Sequence, residues 1–499
     1  MKPSRFRHEV AGVAASCFAL TVAAAPSASA PLPLAADGAA RAAIVANGHE
    51  EPAKALAAYL ERIVGAPFPV VETAAAVPAG HTPVVLEVAD AVPGLSERRA
   101  AMQGYRIHTA DGRLHLTGRS AKGLAYAVYG FLDDHLGVRY FTPDFEIVPS
   151  RPTLALAPLD GVREPAFLTR AFSLPHGHPL AGAEPLYRVK NRCDTPRVGA
   201  HHNFYHWIPP ADYFKTNPEW FPLIDGERRP HHTMPLCASN ADLARKLAER
   251  FMEQMARMKA GERSAIGPVN ACEGVPPMLS AGQGDGFLRC GCDECRALAE
   301  REGSEAAPYI TLLNRALEIT SKTYPAHAVV TFAYFATLKA PKTLRPHPNL
   351  WINLVSSALS PYPAGDQLGP IRGNPHNRDY REAIMAWTRL APNRVTVWDW
   401  TGNFTDAVSE WPNLLSVADN IRFFHENGVE AVFLEQPGGE QNWGWLRKWV
   451  WARMLWDPGR DPQALMREFI VAYYGEKAAP FIWEYHRFVD RAARASRYG

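Results

Sequence analysis

Residues 394–400 read RVTVWDW, and residues 430–436 read EAVFLEQ. Each is a short apolar run, rich in β-branched and aromatic residues, with an acid next to its end. Such a run reads as a strand buried on both faces. Five more short apolar runs occur from residue 166 onward: AFLTRAFS (166–173), TMPLCAS (233–239), PMLSAGQ (277–283), VVTFAYF (329–335) and LWINLVS (350–356). Helical patterns lie between them, at Asn240–Lys259, Pro308–Thr323, Tyr380–Leu390 and Val417–Asn427. Strands alternating with helices over such a length predict a parallel (β/α)8 TIM barrel. An eighth strand is expected near Cys193–His201. The tail predicts three helices packed on the barrel, Leu446–Trp456, Pro462–Tyr474 and Ala478–Ala495.

Working back toward the N-terminus, all 13 Trp residues fall after residue 200. The stretch before them has a different pattern. Pro52–Ile63 predicts an amphipathic helix, with proline tolerated in the first turn. PVVLEVAD (83–90) predicts a strand. GYRIHTADGRLHLTG (104–118) predicts a hairpin turning at Asp111-Gly112, because that dipeptide accepts the left-handed backbone of a two-residue turn. Ser120–Leu136 predicts a helix. The overall fold class is therefore α/β. A small N-terminal α/β sandwich (36–160) precedes the barrel (166–456), a proline-rich connection (149–165) joins them, and helices at 457–499 close the chain.

The first thirty residues set the compartment. Lys2, Arg5 and Arg7 precede an apolar stretch, Val10–Ala25, and the small residues PSASA. This is the pattern of a secretory signal peptide over 1–30, and the run is shorter than the roughly 18 residues a membrane span needs. The protein is expected to be secreted or periplasmic in a bacterium, without a membrane span. The full chain carries a net charge of +2. Lys2, Arg5, Arg7 and Glu9 account for that excess, so the remainder is near neutral and nothing favours a nucleic acid partner.

In a barrel of this kind the active site lies at the C-terminal ends of the strands. Asp399 and Trp400 end one run there, with Trp398 beside them. Glu435 and Gln436 end a second, Tyr334 a third, and Gln283 and Asp285 follow a fourth. Acids in such positions also serve as scaffold ion pairs and helix caps. Carboxylates at the mouth of a barrel ringed by Trp and Tyr nevertheless describe a glycosidase, which needs one protonated carboxyl group and one ionised one. Glu435, Asp285 and Asp399 are the candidate catalytic residues. His201 and His202, in the turn-rich GAHHNFYHW (199–207), are expected to bind substrate. Tyr334, Trp398, Trp400, Gln283 and Gln436 join them, and Arg170 is the candidate holder of a substrate carboxylate. His202 and His206 have i, i+4 spacing without a helical context or an H-E-x-x-H motif, so hydrogen bonding to substrate is preferred over a metal. No cofactor is expected, and carbohydrate is the expected partner.

Cys290, Cys292 and Cys295 follow Asp285 as C-x-C-x-x-C. They leave two readings open: a metal site with Cys272 or an acid as fourth ligand, or disulfides such as Cys290–Cys295 or Cys272–Cys292. A structural role that staples the Asp285 loop is preferred. Serine-hydrolase elbows, P-loops, dinucleotide fingerprints and EF-hand loops do not occur in the sequence.

The stretch LTGRSAKGLAYAVYGFLDDHLGVRYFTPD (116–144) resembles the small domain that precedes the barrel in bacterial β-hexosaminidases and α-glucuronidases. Four further stretches together resemble the domain-of-unknown-function 4838 family, assigned to glycoside hydrolase family 163: PPADYFKTNPEWFPLIDGERRP (209–230), SAGQGDG (280–286) with CGCDEC (290–295), VTVWDWTGNF (395–404) and GVEAVFLEQ (428–436). The family's S-Q-N-D loop corresponds to Ser280–Asp285, with Asp285 at the acidic position. Its F-E-Q-G corresponds to Phe433–Gln436 with Leu434 inserted and Pro437 in place of glycine. The resemblance implies a retaining endo-β-N-acetylglucosaminidase that cuts the core of complex N-glycans. Two other readings remain open: an exo-glycosidase on uronic-acid-containing or other plant polysaccharides, and a glycan-binding protein without catalysis.

Overall fold

The computed structural model describes residues 30–172, 182–232, 236–262, 272–356, 368–402, 410–436 and 443–495. The leader expected at 1–30 lies outside the described residues except for Ala30. The strands of the two six-stranded sheets and the main helices are numbered in chain order.

The first layer pair is a six-stranded sheet with two helices. Its strands are β1 (Ala42–Val45), β2 (Val70–Val71), β3 (Thr82–Val88), β4 (Tyr105–Ala110), β5 (Arg113–Gly118) and β6 (Asp160–Arg163), in the order β6-β4-β5-β3-β1-β2. The β4–β5 hairpin turns at Asp111-Gly112, where both residues have positive φ (49° and 71°), as the sequence predicts. Helices α1 (Glu50–Val64) and α2 (Ala121–Asp134) bury Leu56, Leu60, Leu124 and Phe131 in one core with Ile44, Leu86 and Leu116 of the strands. The Ser120 side chain accepts the Gly123 N–H and starts α2, as a serine N-cap does.

The second sheet has six parallel strands in the described residues: β7 (Thr169–Phe172), β8 (Met278–Ser280), β9 (Ala328–Ala333), β10 (Leu350–Ser356), β11 (Val395–Trp400) and β12 (Ala431–Glu435). Their order is β7-β12-β11-β10-β9-β8, every pairing parallel. Alternate residues fall into two cores. Val395, Val397, Val432 and Leu434 face the helices, in one cluster with Leu243, Ile310, Ile384 and Val417. Met278, Val330, Phe332, Tyr334 and Trp351 form a second cluster on the concave face, with Trp398 and Trp400 packed against it. The packed helices are α3 (Ala241–Lys259), α4 (Asp293–Glu302), α5 (Ala306–Thr320), α6 (Arg378–Leu390) and α7 (Leu414–Glu426). Then follow α8 (Gly444–Trp456), α9 (Pro462–Tyr474) and α10 (Ala479–Ala495), at the places expected for the C-terminal helices.

The sheet is a curled half-barrel, and its open side is crossed by irregular chain rather than by two more strands. Thr195 Oγ1 accepts the Arg170 N–H of β7 (2.5 Å). The Ala200 N–H donates to Asn353 Oδ1 of β10 (3.1 Å). The His201 N–H donates to Ser280 Oγ of β8 (2.7 Å), and His202 forms an isolated parallel bridge with Gly282. The segment expected to be the eighth strand thus occupies the strand's place without its ladder. TMPLCAS corrects the same way. Residues 233–235 lie outside the described residues, and 236–240 form a turn with Cys237 drawn toward other cysteines.

The two layers are joined around one acid. Asp133, at the end of α2, is 2% exposed and accepts from Arg192 (2.9 Å), Arg139 (3.0 Å) and Arg453 of α8 (2.8 and 3.1 Å).

Candidate active site

Glu435 ends β12 and Trp398 lies two residues before the end of the adjacent β11, both on the concave face. Trp398 Nε1 donates to Glu435 Oε2 at 2.7 Å. The Arg197 guanidinium, carried by the irregular crossing segment, sits 3.8 Å from the centre of the Trp398 ring and 5.2 Å from that of Phe433. Burial raises the Glu435 carboxyl above its ordinary pKa, while the Trp398 hydrogen bond and the Arg197 charge act the other way. Burial also lowers Arg197 to about 10, with Glu435 opposing the fall. Burial thus favours the protonated form of Glu435 relative to an exposed glutamate.

A second carboxylate stands across an aromatic row. Phe332 is 6.0 Å from Trp398, 4.9 Å from Tyr334 and 5.0 Å from His202, ring centre to ring centre. Beyond them, Tyr334 Oη donates to Asp285 Oδ1 (2.6 Å), and His202 Nε2 lies 3.5 Å from the same oxygen. Burial and the Asp285 hydrogen bond push the Tyr334 phenol well above its usual range, so it remains a donor. His202 Nδ1 is fixed by the Gln283 carbonyl (2.6 Å), and Gln283 Nε2 donates to Thr337 Oγ1 (2.7 Å). Thr337 in turn accepts the Tyr334 N–H and donates to the Tyr334 carbonyl. Gln283 therefore fastens both neighbours of Asp285. The Asp285 side chain itself is 69% exposed. His201 is exposed as a residue, yet partial loss of hydration, Arg197 and His202 hold its imidazole down to about 4.

Two expected site residues stand elsewhere. Asp399 pairs in register with Ser356 and Leu434 and so points to the helix side of β11. Its carboxylate accepts from Ser356 Oγ and lies near Tyr380 of α6. Strand alternation puts Trp398 and Trp400 on one face and Asp399 on the other. Arg170 also faces outward. It is fully buried and donates to the carbonyls of Arg192 and Phe167 (both 2.7 Å), to Gln103 Oε1 (2.9 Å) and to Tyr126 Oη (3.2 Å). Its guanidinium lies over the Trp456 ring, so it braces the two layers and does not reach the mouth. Gln436 is buried directly after Glu435. Trp400 lines a neighbouring cavity of ≈ 800 Å³ together with Asp399, Phe287, Phe335 and Tyr380. Neither Glu435 nor Asp285 lines that cavity.

Arg197 and Phe332 are the functional candidates that the sequence does not announce. Arg197 sits in DTPRVGA, which carries no periodic signal, and Phe332 looks like any core residue of a strand. The cysteines also regroup. Cys237 joins Cys290, Cys292 and Cys295, all four sulfur atoms lying within 4.8 Å of one another. Cys272 lies apart from them, 3.9 Å from Gln103 Nε2, so it is not the fourth partner.

Residues 140–487 match the family described as domain of unknown function (DUF4838). The chain belongs to this family. A family GH115 4-O-methyl-α-glucuronidase, BtGH115A, with specificity for decorated arabinogalactans, resembles this DUF4838 chain with a TM-score of 0.50 and 12% identity, over 91% of this chain and 61% of its own. A family 89 glycoside hydrolase from Clostridium perfringens gives 0.45 and 12%, over 87% and 52%. Streptomyces plicatus N-acetyl-β-hexosaminidase gives 0.42 and 12%, over 90% and 93%. The DUF4838 chain thus spans about six-tenths of the glucuronidase's length. At 12% identity the likeness to the glucuronidase concerns the α/β fold alone. No curated protein matches. No helix among the described residues is long and apolar enough to cross a membrane.

Proposed function

We propose that this DUF4838 protein is a secreted glycoside hydrolase in which Glu435 is the proton donor and Asp285 the ionised partner. The observation that carries the reading is the contrast between the two carboxyl groups. Glu435 is half-buried against Trp398 with its pKa raised. Asp285 is open to solvent and held by Tyr334 and His202. One protonated acid and one carboxylate are what glycosidic bond cleavage needs, and the partly exposed Trp398 ring beside Glu435 suits the C–H face of a sugar. The cavity beside Trp400 offers room for further sugar units.

The substrate favoured by the family resemblance is a complex N-glycan, cut by an endo-β-N-acetylglucosaminidase with retention. If the 2-acetamido group attacks, Asp285 orients it and Glu435 protonates the leaving oxygen. Incubation with a complex glycoprotein should release free glycan, detected by mass analysis. Glu435→Gln should lower the rate by about 10²-fold or more, and Asp285→Asn should do likewise. Full activity in both variants overturns the assignment.

A second reading is favoured by Arg197, a cation on the concave face beside Glu435. It suits the carboxylate of a uronic acid, the role first expected of Arg170. Aryl-uronides and aryl-N-acetylglucosaminides, assayed side by side, separate the two.

A further inference from the structure

We propose that Cys237, Cys290, Cys292 and Cys295 form a tetrathiolate zinc site that fastens the Asp285 loop to the body of the barrel. The proposal is independent of the glycosidase reading.

The four side chains come from separate places. Cys237 precedes α3, Cys290 ends the loop that begins at Gly282, Cys292 is the N-cap of α4 and Cys295 stands in its first turn. All are buried, at 2, 6, 5 and 4% exposure, and none is bridged. Their sulfur atoms lie within 4.8 Å of one another, with Cys237 and Cys292 at 3.6 Å. Four thiolates at about 2.3 Å from a tetrahedral zinc ion stand roughly 3.8 Å apart. Disulfides require sulfurs to approach only in pairs, at about 2 Å, and nothing in that chemistry draws one pair onto another. Convergence of all four on one point is the requirement of a single central ion.

The surroundings fit the charge. Zinc with four thiolates carries a net 2−, and its binding sends four thiol protons to solvent. The Leu223 N–H (3.4 Å) and Arg228 Nη1 (3.8 Å) both point at Cys290 Sγ. Ser239 Oγ lies 3.5 Å from Cys237, 3.6 Å from Cys292 and 3.3 Å from Cys295. Such N–H and O–H groups around the sulfurs orient ligands and offset their charge. All-thiolate tetrahedral sites select zinc or iron, and a full set of four protein ligands marks a structural rather than a catalytic ion. The Gly291 N–H donates to the Leu223 carbonyl (2.7 Å), so the ion would clamp the loop against the 223–228 hairpin, five residues after Asp285.

The test is elemental analysis of the full chain purified without chelators, with thiol titration alongside. The expected result is one zinc per chain, released as an organomercurial bonds to four thiolates in its place. Cys292→Ser should lower the zinc to less than about one tenth of an equivalent, and Cys272→Ser should leave it unchanged. Should Cys292→Ser not fold, wild-type chain refolded with cobalt(II) must give the intense visible absorption of tetrahedral thiolate coordination. A metal-free chain whose mass shows these cysteines oxidised in pairs overturns the proposal. So does a chain with four free thiols that takes up no zinc, and one equivalent of iron overturns the choice of metal.

Discussion

Trp398 on β11 donates its indole N–H to Glu435 on β12 at 2.7 Å, and this one bond opposes the burial that raises the acid's pKa. A hydrogen bond to a carboxylate favours the charged form. Trp398→Phe removes the donor and keeps an aromatic face, so the Glu435 pKa rises further. If Glu435 donates the proton, activity falls at high pH as it ionises. The alkaline limb of the kcat/KM profile should therefore move to higher pH in Trp398→Phe. Arg197→Met should move it the same way, because the Arg197 charge also favours the ionised form. A limb that stays put in both active variants assigns the titration to another group.

Tyr334 holds Asp285 from the opposite end of the aromatic row. Its hydroxyl donates to Asp285 Oδ1 at 2.6 Å, and a hydrogen bond to a charged group contributes about 1.5–3 kcal/mol. Tyr334→Phe should lower kcat by about 10-fold or more, with a smaller change in KM if Asp285 acts chiefly in the transition state. An unchanged kcat with a raised KM places Asp285 in ground-state binding.

Asp399 carries a liability of the opposite kind. Burial raises it to about 6, against the hydrogen bond from Ser356. A carboxyl whose folded pKa exceeds its unfolded value costs stability as pH rises between the two, here from about 4 to about 6. A gap of roughly two pKa units corresponds to about 3 kcal/mol at pH 7 and above. Asp399→Asn should therefore be stabilised by up to about that amount at pH 8 and lose the advantage near pH 4. Urea melts at the two pH values measure it. A variant that is less stable at pH 8 shows that the charged form has support beyond Ser356.

The strand runs at 394–400 and 430–436 were legible because β-branched and aromatic residues were bounded by turn residues. The face each residue would take was not. A strand buried on both sides has no polar alternation to show which face is concave, so Asp399, flanked by Trp398 and Trp400, was the weaker candidate beside Glu435, and only the β10–β11–β12 register decided its face. Arg170 was misread for the same reason, since a cation at a strand end is as useful to a layer interface as to a pocket. The crossing segment that carries Arg197, His201 and His202 was invisible as structure. Its shape comes from side-chain bonds to Asn353, Ser280 and Arg170, which are long-range and leave no local period. Cys237 was missed as a partner of the cysteine cluster because 53 residues separate it from Cys290.

Asp133 sets the acid limit of the fold. Burial alone would raise its pKa, but Arg453, Arg192 and Arg139 outweigh it and hold the carboxyl below the usual range. A depressed folded pKa gives stability that is present above the unfolded value, about 3.9, and is lost as pH falls through the folded one. The chain should therefore keep this contribution throughout the neutral range and shed it only in strong acid. Asp133→Asn removes the charge at every pH and leaves Arg192 and Arg453 buried and facing each other across a neutral amide. The expected loss at pH 7 is about 3–5 kcal/mol, read from chemical denaturation. Because Asp133 ends α2 and Arg453 belongs to α8, the loss should appear as earlier separation of the two layers. Tryptophan fluorescence, which reports only on the part after residue 200, and far-ultraviolet circular dichroism should then give different midpoints. Coincident midpoints with an unchanged stability show that the three arginines find other partners and that the layers are held by the apolar contact of Trp456 with Tyr105 and Tyr126.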